Sequence, residues 1–80
     1  MFDLTILSPK RVIFEDAVES VRVDGDDSEY EFLSFHATTI GVLREGDVII
    51  NNKIAIPIKK GIAKFIGNKC VILAEEATPE

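Results

Sequence analysis

Apolar residues occur along this chain in short alternating bursts, and turn formers separate the bursts. Phe2, Leu4 and Ile6 alternate with Asp3 and Thr5 until Ser8-Pro9 breaks the run. Val12-Ile13-Phe14 follows and ends at Glu15-Asp16, and then Glu19, Val21 and Val23 alternate with Ser20 and Arg22. Tyr30 to Leu33 and Thr38 to Leu43 are further strand candidates, the second closed by Glu45-Gly46. Val48-Ile49-Ile50 meets Ile54-Ala55-Ile56 across Asn51-Asn52, and Ile62 to Ile66 meets Lys69 to Leu73 across Gly67-Asn68. Both connections read as two-residue hairpins, because Asn and Gly tolerate the positive φ that such turns require. Nowhere does an apolar stripe of helical period persist. Short strands at this spacing predict an all-β fold, a small antiparallel β-sandwich or flattened barrel. Pro57 interrupts a strand pattern and predicts an edge strand or a strand end, since it donates no ladder hydrogen bond.

The chain has 80 residues, 46% of them hydrophobic and 29% charged, which is the balance of a globular domain and not of a disordered segment. The boundaries expected are a single β domain over residues 1–75 and a polar tail over 76–80. A domain of this size buries a modest share of its surface and benefits from partners. Net charge is −5, which argues against nucleic acid as a partner, because phosphate neutralisation needs surplus Lys and Arg. Apolar runs fall far short of the roughly 20 residues of a spanning helix, and Asp3 interrupts the N-terminal stretch, so no secretory leader is read. A membrane association is therefore expected only indirectly, through a partner. The charges are segregated: residues 15–31 hold eight acids and the single base Arg22, while residues 53–69 hold five lysines and no acid. Solvated faces and distinct docking surfaces both follow from that pattern.

Chemistry-bearing constellations are few. His36 is the only histidine, so a histidine-based metal set fails. Cys70 is the only cysteine and lies in the apolar run Cys70-Val71-Ile72-Leu73-Ala74, which predicts a buried reduced thiol rather than a nucleophile. Asp24, Asp26 and Ser28 match positions 1, 3 and 5 of a calcium loop, but Glu29 stands where glycine is required and Phe35 where the bidentate Glu belongs. Phosphate-loop and dinucleotide glycine patterns are missing. A lipoyl or biotinyl carrier needs a D-K-A or M-K-M triplet, and neither occurs. No cofactor is expected, and the chain does not read as an enzyme.

One stretch carries an identity signal. Ser28-Glu29-Tyr30-Glu31-Phe32-Leu33-Ser34-Phe35-His36-Ala37 resembles the G-E-F-G-V-L-P-G-H-A-P motif of the epsilon subunit of F-type ATP synthases. The likeness extends along the chain. Leu4-Thr5-Ile6-Leu7-Ser8-Pro9 is similar to the family's first strand and turn, and Val18-Glu19-Ser20-Val21 to its V-x-S-V strand. Lys60 to Phe65 resembles G-G-F-L-E-V, and Asn68-Lys69-Cys70-Val71-Ile72-Leu73-Ala74-Glu75 resembles N-K-V-T-V-L-A-E. The departures are Ser28 and Glu31 for the motif glycines, Ser34-Phe35 for Pro-Gly, Thr38 for the last Pro, and Lys60 for the first Gly of the later segment.

The resemblance implies a non-catalytic subunit of the central stalk. It implies docking on the gamma subunit, contact with the membrane c-ring, and a link to the catalytic head via gamma. The place implied is the cytoplasmic face of the bacterial inner membrane, where the subunit is peripheral. Glu29 and His36, with Tyr30 and Glu31 beside them, are the implied c-ring contact residues. Tyr30, Phe32 and Leu33 are expected to bury their side chains and stiffen that loop. His36 also reads as a structural histidine bonded to nearby backbone. The family's C-terminal helical hairpin has no counterpart in these residues, so its inhibition of hydrolysis and its ATP binding are not implied. Apart from the resemblance, an unrelated small β-sandwich interaction module with an acidic partner-binding loop fits the same residues.

Overall fold

The structure is a computed structural model and describes residues 1–77. It contains eight strands: β1 (Phe2–Leu7), β2 (Val12–Val18), β3 (Ser20–Asp24), β4 (Glu29–Leu33), β5 (Thr39–Leu43), β6 (Gly46–Ile50), β7 (Ile54–Ile66) and β8 (Lys69–Glu76). Their order in the sheet is β2-β1-β8-β7-β6-β3-β4, with β5 also pairing β7. Strand β8 runs to Glu76, into the stretch expected as a polar tail, and residues 78–80 of that tail lie outside the described residues.

The architecture follows from β7, which is 13 residues long. On one flank, residues Ile58 to Ile66 pair with β8. On the other, Gly61 to Phe65 pair with β5 and Ile54 to Ile58 with β6. Strands β5 and β6 thus follow one another along the same flank of β7. One strand therefore serves two layers: β2-β1-β8-β7-β5, and β7-β6-β3-β4. The two expected strands around Pro57 are one. Pro57 interrupts nothing because it lies on the part of β7 that pairs only with β6, where no second neighbour asks for its missing N–H.

Alternation decides which side chains meet between the layers. Phe2, Leu4 and Ile6 of β1 and Cys70, Ile72 and Ala74 of β8 point inward and are buried. Val21, Val23, Phe32, Val48 and Ile50 close over them from the other layer. The rings of Phe32 and Phe65 stack at 5.6 Å across the core, and Phe2 meets Phe65 edge-on at 5.2 Å. A bridge between Gly25 and Leu43 ties the end of β3 to β5 and closes one side of the sandwich.

One pair departs from the antiparallel expectation. Strands β1 and β8 are parallel, from Asp3 beside Lys69 to Leu7 beside Leu73. A hairpin joins only antiparallel neighbours, but these strands are far apart in sequence and need no hairpin. The two expected tight turns are present. Gly67 and Asn68 each have φ 59° and connect Ile66 to Lys69. Asn51 and Asn52 have φ 53° and 56°, and the turn is closed by the Lys53 N–H donating to the Ile50 carbonyl at 3.0 Å. Here the strand resumes at Ile54 as expected, opposite Ile50, but the connection has three residues instead of two, because it includes Lys53.

Candidate docking surfaces

Two surfaces stand out, one on the segment 28–38 and one on the outer face of the layer β2-β1-β8-β7-β5. Strand β4 is an edge strand, paired only with β3. Its odd-numbered residues face outward, so Glu29, Glu31 and Leu33 line up on the surface opposite Asp24, Arg22 and Ser20. Arg22 reaches Glu29 at 3.8 Å, and its guanidinium also donates to Asn52 Oδ1 at 3.3 Å. Both ends of that ion pair are well exposed, so it adds little stability.

The even-numbered residues of β4 face inward. Tyr30 is half-buried and stacks on Phe32 at 6.2 Å. Its ring lies over Gly25 and Gly41, and a Cβ on Gly41 would come within 3.0 Å of it. Those two glycines form the seat of the ring, a requirement that the spacing of Gly25 and Gly41 in the sequence did not announce. Phe32 is buried as expected. Leu33 is not, because it falls on the outward parity of the edge strand.

His36 lies past the far end of β4. Its ring packs edge-on against Phe32 at 5.0 Å and against Phe65 at 5.6 Å. Nδ1 is 2.8 Å from the Ala37 carbonyl oxygen, an acceptor, which calls for the proton on Nδ1. Thr39 Oγ1 donates to the same oxygen at 2.9 Å. The four residues expected as one contact site are therefore distributed. Glu29 and Glu31 share the outer face of β4, Tyr30 turns inward from it, and His36 is exposed past its end with its ring against Phe32 and Phe65.

Between them sits Phe35, which takes φ 62° and leaves its side chain 85% exposed. The left-handed backbone that glycine would favour at this point is kept, although the residue is a phenylalanine. Glu31, another residue standing for a motif glycine, lies in regular strand opposite Arg22.

The second surface comes from the outward positions of five strands. Register places Val42, Ile62, Leu73, Leu7 and Val12 in one row across β5, β7, β8, β1 and β2. The adjacent row runs Ile40, Lys64, Val71, Thr5 and Glu15. Of the ten exposed large apolar side chains among the described residues, six lie on this face: Val12, Ile40, Val42, Ile62, Ile66 and Leu73. The face is dished, with a groove of about 550 Å³ between the Ser8-Pro9 turn and the Val42, Ile62 and Leu73 side chains. Gly61 forms part of its floor, where a Cβ would fall 2.6 Å from the Leu73 carbonyl oxygen. The doubled apolar run at Val48-Ile49-Ile50 contributes nothing to this face. Val48 and Ile50 are core, and Ile49 lies on the other layer beside Arg22.

Cys70 is buried, and loss of hydration pushes its thiol pKa up to about 12. Arg11 binds Glu76 through two hydrogen bonds, of 2.6 and 3.3 Å, and holds that carboxyl below its usual pKa. Among the described residues no group of three or more His, Cys, Asp or Glu side chains converges to hold a metal. No helix of the described residues is long and apolar enough to cross a membrane.

The sequence of residues 1–80 matches the family described as ATP synthase, Delta/Epsilon chain, beta-sandwich domain. The chain belongs to that family. Among its relatives, the ATP synthase epsilon chain of Hydrogenobaculum sp. (strain Y04AAS1) is 32% identical over 81 residues, covering 99% of this chain and 60% of the relative. The ATP synthase epsilon chain of Campylobacter concisus (strain 13826) is 37% identical over 78 residues, covering 92% and 60%. This member of the delta/epsilon family thus spans about 60% of the length of those epsilon chains. Its fold is similar to a chain in the cryo-EM structure of the Tetrahymena thermophila mitochondrial ATP synthase central stalk and c-ring. That match has a TM-score of 0.80 at 13% identity, covering 92% of this chain and 63% of the other. A chain of the Euglena gracilis mitochondrial ATP synthase matches with a TM-score of 0.81 at 21% identity, covering 95% and 51%.

Proposed function

We propose that this β-sandwich is a non-catalytic rotor component of an F-type ATP synthase, which docks on the gamma subunit and contacts the c-ring to couple proton transport to ATP synthesis and hydrolysis. The observation that carries the reading is the apolar face of the layer β2-β1-β8-β7-β5, where six of the ten exposed large apolar side chains among the described residues gather. A patch of that kind on a small domain is a binding surface, and its stiff two-layer support suits a subunit that must pass on torque. Gamma is assigned to this face, and the catalytic head is reached via gamma. The c-ring is assigned to the segment of Glu29, Tyr30, Glu31 and His36. Of these, Glu29 and Glu31 are on the outer surface of β4, His36 is exposed past its end, and Tyr30 supports the segment from beneath. In this reading the subunit is peripheral, on the cytoplasmic face of the bacterial inner membrane, and meets the membrane only through the c-ring.

The test is binding of the purified chain to the gamma subunit of the same organism, followed by calorimetry. Saturable binding that Ile62→Asp abolishes, with the variant's melting unchanged, supports the docking face. Binding that Ile62→Asp leaves intact refutes it. For the c-ring segment, Glu29→Lys with Glu31→Lys should lower ATP-driven proton pumping in membrane vesicles while hydrolysis persists, and unaltered pumping would remove that assignment.

A further inference from the structure

The apolar face has a charge at its centre. Lys64 points outward from β7, with Ile62 and Ile66 before and after it on the strand. Its lateral neighbours are Ile40 on β5 and Val71 on β8. The nearest lysine along the strand with an acidic partner is Lys60, whose Nζ lies 3.9 Å from Glu75. Lys64 is in none of the ion pairs found among the described residues. In the free protein this costs nothing, because water solvates the ammonium. A partner that covers the face takes that water away. An ammonium buried without a counter-charge is strongly unfavourable, and an aliphatic residue would serve an apolar interface better.

We propose that the occupant of this face is an amphipathic helix whose apolar stripe carries one Asp or Glu, positioned to meet Lys64. The proposal rests on the docking face assigned above and adds the chemistry its partner must have. A helix fits the space: five strands span about 19 Å, and a helix with its side chains is about 10 Å wide. A helix laid on the face of a sheet is also the ordinary way to cover it. A second copy of this chain is disfavoured, because face-to-face packing about a twofold axis brings two Lys64 ammoniums to the middle of the interface. An anionic bilayer is disfavoured as well, because the outer positions hold Asp3, Glu15 and Glu75 as well as Lys60, Lys64 and Lys69, so the face has no surplus of positive charge, and the chain carries net charge −5.

The experiment compares the wild-type chain, Lys64→Met, Lys64→Glu and Ile62→Asp. Each binds the gamma subunit of the same organism in calorimetry at two salt concentrations, and each variant is first shown to melt as the wild type does. The expected result is that Lys64→Met weakens binding about tenfold or more, because it strands the partner's carboxylate, and that Lys64→Glu weakens it further. The salt dependence seen for the wild type should also shrink in Lys64→Met. Binding by Lys64→Met that is as tight as wild type or tighter, with the same salt dependence, overturns the carboxylate and leaves the docking face standing. Failure of the wild-type chain to bind, or Ile62→Asp binding normally, overturns the docking face and the carboxylate with it. A dimer of the chain that Ile62→Asp disrupts would show that the face belongs to a second copy, and would also overturn the proposal.

Discussion

The backbone N–H of Phe35 donates to the side-chain oxygen of Asn68 at 2.6 Å, joining the segment after β4 to the β7–β8 hairpin. Asn68 also donates from Nδ2 to the Met1 carbonyl at 3.2 Å. Both Phe35 and Asn68 hold positive φ. Asn68 does so at a turn that suits it, while Phe35 does so at a cost of about 1–2 kcal/mol.

Phe35→Gly is expected to stabilise the fold. The strain relieved exceeds the extra chain entropy of glycine, about 0.5–1 kcal/mol, and the exposed ring gives up little burial. The net gain should be about 0.5 kcal/mol and should raise the melting temperature by a few degrees. Phe35→Ala, which keeps the strain, should give no gain. Equal melting temperatures for the glycine and alanine variants would show that the backbone at residue 35 is not strained.

Gly61→Ala is expected to cost about 1–3 kcal/mol, because the added methyl meets the Leu73 carbonyl oxygen and the β7–β8 ladder must shift to admit it. Urea denaturation measures this directly, and an unaffected midpoint would mean that the groove floor yields.

Cys70 makes stability fall in alkali. The folded thiol titrates near 12, above an unfolded thiol, so from about pH 9 upward the unfolded chain has lost a proton that the folded chain retains. Stability is full below the unfolded value and declines as pH rises toward 12. Cys70→Ala should flatten that alkaline decline relative to wild type. In native protein at pH 8 the thiol should resist alkylation by iodoacetamide until denaturant is added, and rapid native labelling would contradict its burial.

Glu76 has the opposite sense. Arg11 lowers its pKa, so its contribution is present above the unfolded carboxylate value and is lost as pH falls through the lowered one. The pair is exposed, so the effect is small and screened by salt. Glu76→Gln should slightly reduce the acid-side loss of stability at low ionic strength, and a steeper acid limb would reverse the assigned sign.

Strand positions were legible wherever inward and outward residues differed in polarity. Phe2, Leu4 and Ile6 read directly as a core face, and Asn51-Asn52 and Gly67-Asn68 read directly as turns, because positive φ has a short list of residues. The union of two expected strands into β7 was hidden by Pro57, whose partnered flank is a matter of tertiary pairing. The parallel contact of β1 with β8 was hidden for the same reason. The acidic and aromatic residues of the 28–37 stretch drew attention in the sequence, yet alternation on β4 sends Glu29 and Glu31 outward and Tyr30 inward. The apolar outer face left a signal that only register could assemble. Ile62 and Ile66 flank the outward Lys64 on β7, and Val42 and Leu73 join them only once β5 and β8 are set beside it.

The parallel seam between β1 and β8 also bears on how the chain reaches this state. Strand β8 lies between β1 and β7, so the layer's central strand is the last of the eight to leave the ribosome. Before residues 69–76 emerge, the β1–β2 hairpin and the β5–β7 pair have no common neighbour, and Leu4 and Ile6 have a strand beside them only on the β2 side. Synthesis of β8 then joins the first and last of the eight strands in a single step. The folding rate is thereby tied to a contact of high sequence separation, and nascent chains stopped short of Lys69 should expose the apolar strands to chaperones.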